Sequence, residues 1–298
     1  MFRRFLRCEL IELYVGTDLC FMKPTMLNIN PMFSFRSFVL VSLVTAGVFA
    51  GGCNSAQMAA GMKLGAAASM SEEAEDELGQ TVALAATNRW PIYDQPELNK
   101  YVTMVGLTVA SASNKPDANW YFAVLDTPEL GAYSGPGGYV LITRGSIAAM
   151  EDESELAAVL AHEIAHVLNK DGFDAVKRSR MNSAGLELAA ASDSRLAAFN
   201  KESDFLVNTV LTSGWDQSQE TKADAGAVKL LIKSGYEPRG LPRFLERMQK
   251  QGSRSGKVFG THPGTADRIS RTTSQIGTAK AGATNRERFV MRAAEARL

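Results

Sequence analysis

One apolar run dominates the start of the chain. From Phe38 to Ala50 it reads FVLVSLVTAGVFA, with Arg36 ahead of it and small residues behind. It is too short to span a bilayer, which takes about 20 apolar residues, and it lacks the polar face or cap of a core helix. It reads as the apolar stretch of a secretory signal peptide, with residues 1–52 as lead-in and signal. The lead-in is long for such a peptide, and Met22, Met26 and Met32 each offer a nearer start. Asn54 to Met70 is rich in Ala, Gly and Ser without periodicity, so residues 53–70 read as a flexible tether.

Structured patterning begins at Ser71, a cap residue followed by Glu72, Glu73 and Glu75, which predicts a helix running toward Asn88. Pro96 to Ala112 carries Leu98, Tyr101, Val102, Val105 and Val109 at helical spacing. Trp120–Leu125 and Gly138–Thr143 are short β-rich runs on either side of the turn-rich GAYSGPGG, although neither alternates cleanly. Asp152-Glu153-Ser154-Glu155 resembles a capping box opening a helix from Glu155 to about Lys170, with Gly172 as its stop. Phe173 to Gly214 is helical but weakly patterned. Gln217–Ser234 is a stronger helix stopped by Gly235 and Pro238, Leu241–Gln251 is another, and a last helix starts near Thr265 after a Gly/Ser-rich loop. The basic stretch from Asn285 to Leu298 reads as a solvated helix. The pattern predicts one α+β domain over 71–298, mostly helical, with a small sheet beside the helix that starts near Glu155.

Composition narrows the chemistry. Lys+Arg 32 balances Asp+Glu 32, so no long-range field favours nucleic acid, and 45% hydrophobic against 21% charged residues suits a globular core. Cys8, Cys20 and Cys53 all precede the domain, so the domain has neither a disulfide nor a thiolate site. Ala50-Gly51-Gly52-Cys53 resembles a bacterial lipobox, with Ala50 where Leu is usual. Cys53 is then the lipidated first residue of an envelope protein held at a membrane, the outer one being the expected home. The only histidines are His162, His166 and His262, and any imidazole chemistry must use them.

Two of them form His162-Glu163-Ile164-Ala165-His166, the pattern H-E-x-x-H, inside the capped helix. With so few histidines, about 0.002 chance occurrences are expected. Four residues turn a helix by about 400°, so both imidazoles share one face about 6 Å apart along the axis and can reach one ion. Glu163 lies about 100° further round, where a carboxylate holds a water without binding the ion itself and acts as general base. A catalytic Zn²⁺ takes three protein ligands and a water. The longer form H-E-x-x-H-x-x-G-x-x-H is excluded, because Asn169 and Gly172 stand at its Gly and final His. The third ligand is therefore downstream, among Glu187, Glu202, Glu220, Glu237, Glu246 and His262. Glu220 is favoured because Asp224, one turn later, suits the spare N–H of a ligating imidazole.

HEIAH, Glu220-Thr221-Lys222-Ala223-Asp224 and Thr261-His262-Pro263 together resemble the gluzincin family of CAAX prenyl proteases, mitochondrial Oma-type proteases and bacterial envelope lipoprotein proteases. GAYSGPGGYVLITRG and SGYEPRGLPRFLERM are also similar to family segments. The resemblance implies a zincin-like fold with one Zn²⁺ on His162, His166 and Glu220. It also implies Glu163 as base, Asp224 as support and His262 as oxyanion stabiliser. Family members usually have Asn-Ala-Phe where this chain has Gly131-Ala132-Tyr133. Ala132, Tyr133 and Ser134 are the expected edge on which an extended, unfolded protein substrate adds as a strand. The competing expectation is an envelope protein that holds misfolded clients, chaperone-like, around a non-catalytic metal site.

Overall fold

A computed structural model of the chain describes residues 71–186, 203–252, 262 and 266–297. All lie within Cys53–Leu298, the second of two units into which the chain divides. Cys53, the tether, Glu187, Glu202 and the loop 253–260 fall outside the described residues.

Helix α1, Glu72–Arg89, starts at a Ser71 cap whose side chain accepts from the amide of Ala74. Helix α2, Pro96–Ser111, follows, and its apolar stripe of Leu98, Val102, Val105 and Val109 is buried. Strands β1, Tyr121–Leu125, and β3, Tyr139–Thr143, run parallel, and between them in sequence β2, Ala132–Gly135, pairs antiparallel with β3. The sheet order is β1-β3-β2. The segment that reads as a turn between two strands is thus itself an edge strand, followed by a 3-10 turn over Pro136–Gly138. The missing alternation in β3 has a physical cause, because the central strand is buried on both faces. Val140 and Ile142 face the large core against α2, while Leu141 and Tyr133 face a second cluster with Leu78 and Val82 of α1.

A short helix α3, Arg144–Ala148, leads into α4, Glu153–Leu168, whose residues from Glu153 to His166 are all buried. Its cap is one-sided: Asp152 accepts from the amide of Glu155, whereas the Glu155 carboxylate accepts from Arg247 at 2.5 and 2.9 Å. Gly172 does not stop α4. The helix ends at Leu168, Asn169 caps it, and Lys170 turns the chain with φ 59° into α5, Asp171–Leu186. A π-helical turn, Thr209–Ser213, precedes α6, Gln217–Ser234, which has a complete capping box from Asp216 and Gln219 and a left-handed Gly235 at its end. Helices α7, Gly240–Gly252, and α8, Ala266–Ile276, complete the body of the domain.

The basic tail is not merely solvated. It folds as α9, Arg286–Arg292, with a 3-10 turn over Ala294–Arg297, and buries Phe289, Ala293 and Ala296 in the main core. Its polar residues meet the start of α4. Glu153, fully buried, accepts from Tyr101 and Tyr236 hydroxyls at 2.8 Å each, from Asn285 at 3.0 Å, and from Arg288 through two nitrogens. Burial alone would raise the Glu153 pKa, but these donors outweigh it and lower it. The charge pattern of 285–298 concealed an amphipathic helix whose apolar positions are too few to register alone. Replacing Phe289 with Ala is expected to cost about 3–5 kcal/mol of stability in urea unfolding; a loss below about 1 kcal/mol would show the tail to be peripheral.

Candidate metal centre

Helix α4 sets His162 and His166 one turn apart, their rings edge-on at 4.7 Å and 88°. Their Nε2 atoms converge to 3.1 Å. Helix α6 supplies Glu220 from its first turn, its two oxygens each 3.5 Å from one of those nitrogens. The two helices approach this closely because Gly226 faces α4: a Cβ there would lie 2.7 Å from the Cβ of Ala165. His262 arrives from the segment before α8, with Nδ1 2.6 Å from Glu220 and 3.3 Å from His162 Nε2. His162, His166, Glu220 and His262 each offer one ligand atom within 4.8 Å of the others, and all four are buried.

The outward nitrogens meet carboxylates. His162 Nδ1 is 3.0 Å from Asp224, and His166 Nδ1 is 2.7 Å from Asp171. The ring of His166 is stacked on Trp215 at 5.3 Å. Arg268, buried, grips Asp224 with Nε and Nη2 at 2.9 and 2.7 Å and reaches Glu220 with Nη1 at 2.9 Å. Glu163 points toward the sheet, where Ser134 Oγ donates to its Oε2 at 2.7 Å and His262 Nε2 lies 3.3 Å from its Oε1.

Four carboxylates, Glu163, Glu220, Asp224 and Asp171, thus surround this cluster with Arg268 as the guanidinium among them. Burial opposes a charged His162, but Asp224 and Glu220 prevail and raise its pKa from 6.5 to about 9. Burial likewise opposes charge on His166, and Asp171 and Glu220 raise it overall. For Glu220 desolvation is overcome by His262, His162 and His166, which hold it far below the carboxylate range. Asp224, buried beside His162 and Arg268, falls to about 2. Imidazole nitrogens and a carboxylate oxygen converging in an acidic, buried setting fit a divalent metal ion.

Of the residues singled out from sequence, His162, His166, Glu220 and His262 come together, with Glu163 beside them and Asp224 behind His162. His262 was expected at the oxyanion; here its Nδ1 stands among the ligand atoms while its Nε2 faces Glu163. Glu237 bonds Arg239 and the amide of Gly282, Glu246 is exposed, and neither joins the cluster. Ala132 to Ser134 form the edge strand beside α4, but the Tyr133 ring is 4% exposed and stacks on Trp90 beneath the sheet. Sequence reading missed Asp171, Trp215, Arg268 and the Ser134 hydroxyl, since each acts across a turn or between elements with no fixed spacing to a histidine.

The model of peptidase family M48 matches residues 96–276. The beta-barrel assembly-enhancing protease of Escherichia coli (strain K12) is 25% identical over 235 residues, 75% of this chain and 48% of its own length. The mitochondrial metalloendopeptidase OMA1 of Schizosaccharomyces pombe is 31% identical over 172 residues, 57% of this chain and 50% of its own. Metalloprotease LoiP of Escherichia coli (strain K12) is 25% identical over 205 residues, 67% of this chain and 76% of its own. The chain spans about half the length of the first two.

Two outcomes follow from this geometry. In chelator-treated protein, His162 and His166 bind protons more tightly than in the unfolded chain. Their stabilisation is full below about pH 6.5 and is lost at higher pH, for His162 as pH rises through about 9. Glu220 and Asp224 act oppositely, stabilising above their ordinary 4.5 and 3.8 and losing that contribution in acid. The melting temperature of treated protein should therefore peak near about pH 5–6.5 and decline toward about pH 9.5, whereas a bound metal ion replaces those protons and removes the alkaline decline; a steady alkaline rise in treated protein is the contrary result. Separately, Gly226→Val should wedge α6 from α4, costing about 1–3 kcal/mol in urea unfolding and weakening metal binding. Unchanged metal affinity in that variant would mean that the helix spacing does not set the site.

Proposed function

The chain belongs to peptidase family M48, and on that premise we propose that it is a zinc-dependent endopeptidase cutting unfolded or misfolded proteins of the bacterial cell envelope. The observation that carries this is the Glu163 carboxylate standing free of the ligand set but beside it, tied to the edge strand through Ser134. His162, His166 and Glu220 are the ligands of this reading, a nitrogen, nitrogen and oxygen set of the kind zinc takes in hydrolases. When bound, zinc polarises the peptide carbonyl and lowers the pKa of its water toward about 7.

The protein's own residues do the rest. Ser134 occupies Oε2 of Glu163, which leaves Oε1 as the oxygen that takes the proton of the attacking water. The same carboxyl then delivers that proton to the leaving amine nitrogen. Asp171 holds the outward nitrogen of His166 by a hydrogen bond and Asp224 stands 3.0 Å from that of His162, an arrangement that turns their Nε2 lone pairs inward. His262, in reach of Glu163, donates to the oxyanion as charge develops on the carbonyl oxygen, an effect typically worth about 2.7–4 kcal/mol.

Substrate choice rests on the edge. Strand β2 is buried along its length but pairs with β3 on one side only among the described residues, and its other edge is the one an extended peptide would join as a further strand. An unfolded chain offers extended backbone along its length for such pairing, which favours unfolded substrates. The envelope setting draws on the signal-like run, on Cys53 as lipid attachment point, and on relatives named for beta-barrel assembly. Among the described residues no helix is long and apolar enough to cross a membrane.

Glu163→Gln should retain bound zinc yet lose about 10²-fold or more of the rate on unfolded casein, and chelation should abolish cleavage by the unaltered protein. Cleavage by Glu163→Gln at the unaltered rate would remove the proposed base.

A further inference from the structure

A buried carboxylate outside the ligand set lies at the centre of a polar chain that joins the two site helices. Asp171, 3% exposed, is the first residue of α5. It folds back onto α4 because Lys170 adopts φ 59°, a left-handed conformation uncommon for a non-glycine residue. Lys170 is anchored in that turn by an ion pair with Glu75 at 3.1 Å. The chain bends so that Oδ2 of Asp171 reaches Nδ1 of His166 at 2.7 Å.

The other side of Asp171 is held by Gln219. Its Nε2 donates to Oδ1 and to the backbone oxygen of Asp171 at 3.3 and 3.4 Å. Its Oε1 accepts from the amide of Asp216 at 3.2 Å, completing the capping box of α6. The next residue is the ligand Glu220. One amide side chain therefore ties the start of the helix that carries Glu220 to the acceptor that faces His166. Trp215 stacks on the ring and fixes its plane, so the remaining freedom of His166 is which nitrogen points inward. A carboxylate at Nδ1 requires an N–H there and leaves Nε2 as the lone pair.

We propose that Asp171, oriented by Gln219, is a positioning residue that sets the tautomer of His166 and couples its metal affinity to the seating of α6. This rests on the reading that His166 is a metal ligand. The experiment compares full-length unaltered protein with Asp171→Ala, Asp171→Asn and Gln219→Ala, measuring zinc dissociation constants by chelator competition. The His166 Nδ1–H resonance of the zinc-loaded proteins is recorded alongside. Asp171→Ala should weaken zinc binding about 10–100-fold and lose the exchange-protected resonance. Asp171→Asn, which keeps an acceptor oxygen, should recover part of both, and Gln219→Ala should shift affinity in the same direction by less. Should Asp171→Ala not fold, Gln219→Ala still decides: affinity and resonance both identical to the unaltered protein would overturn the proposal. Zinc binding by a folded Asp171→Ala within about twofold of the unaltered protein would do the same while leaving the metal reading intact. Failure of the unaltered protein to bind zinc would overturn the metal reading together with the proposal.

Discussion

Everything at the site depends on how closely α6 lies against α4. The third ligand sits on a different helix from the first two, and a carboxylate side chain spans only a few ångströms, so interhelical distance decides whether three donors converge. At Gly226 any side chain would meet Ala165, so the glycine lets the helices come together there. Arg268 then closes the arrangement from α8 by binding Glu220 and Asp224 together. The same guanidinium supports the carboxylate facing the ion and the carboxylate behind the imidazole, so neither moves without disturbing the other.

Helix ends add to this balance. His166 lies in the last turn of α4 and Glu220 in the first turn of α6. A helix C-terminus carries partial negative charge and an N-terminus partial positive charge, each worth about 0.3–1 kcal/mol toward a suitable ion. The cation-binding imidazole and the anionic ligand thus each occupy the helix end that favours them. Burying several acids together would be costly in isolation, and the cluster tolerates it because each acid faces a ring nitrogen, an amide or a guanidinium.

Much of this was legible in the sequence. The H-E-x-x-H spacing is a property of one helix, and Glu220 with Asp224 is a property of another, so local geometry exposes both. The α+β class with a small sheet followed from the β-rich runs and capped helices. What remained hidden depends on distance in sequence. Strand β2 looked like a turn because Gly131, Gly135, Pro136 and the two following glycines outweigh Ala132 to Ser134 in any local count. Gly172 read as a stop because nothing local says that Lys170 will take the left-handed conformation instead. Arg268 was one arginine among many until folding set it between two acids.

The boundary of family resemblance and the boundary of the folded body are different lines. The matched segment ends at Ile276, while Phe289 and Ala296 sit in the main core and Asn285 and Arg288 satisfy Glu153 at the head of the H-E-x-x-H helix. It begins at Pro96, while Leu78 and Val82 of α1 cover one face of the sheet. A fragment cut to the matched residues would bare an apolar sheet face next to an unpaired edge, a surface prone to self-association. It would also strip an acid of two of its four donor side chains. The family segment marks where the chemistry resides, and solubility depends on flanks that lie outside that segment.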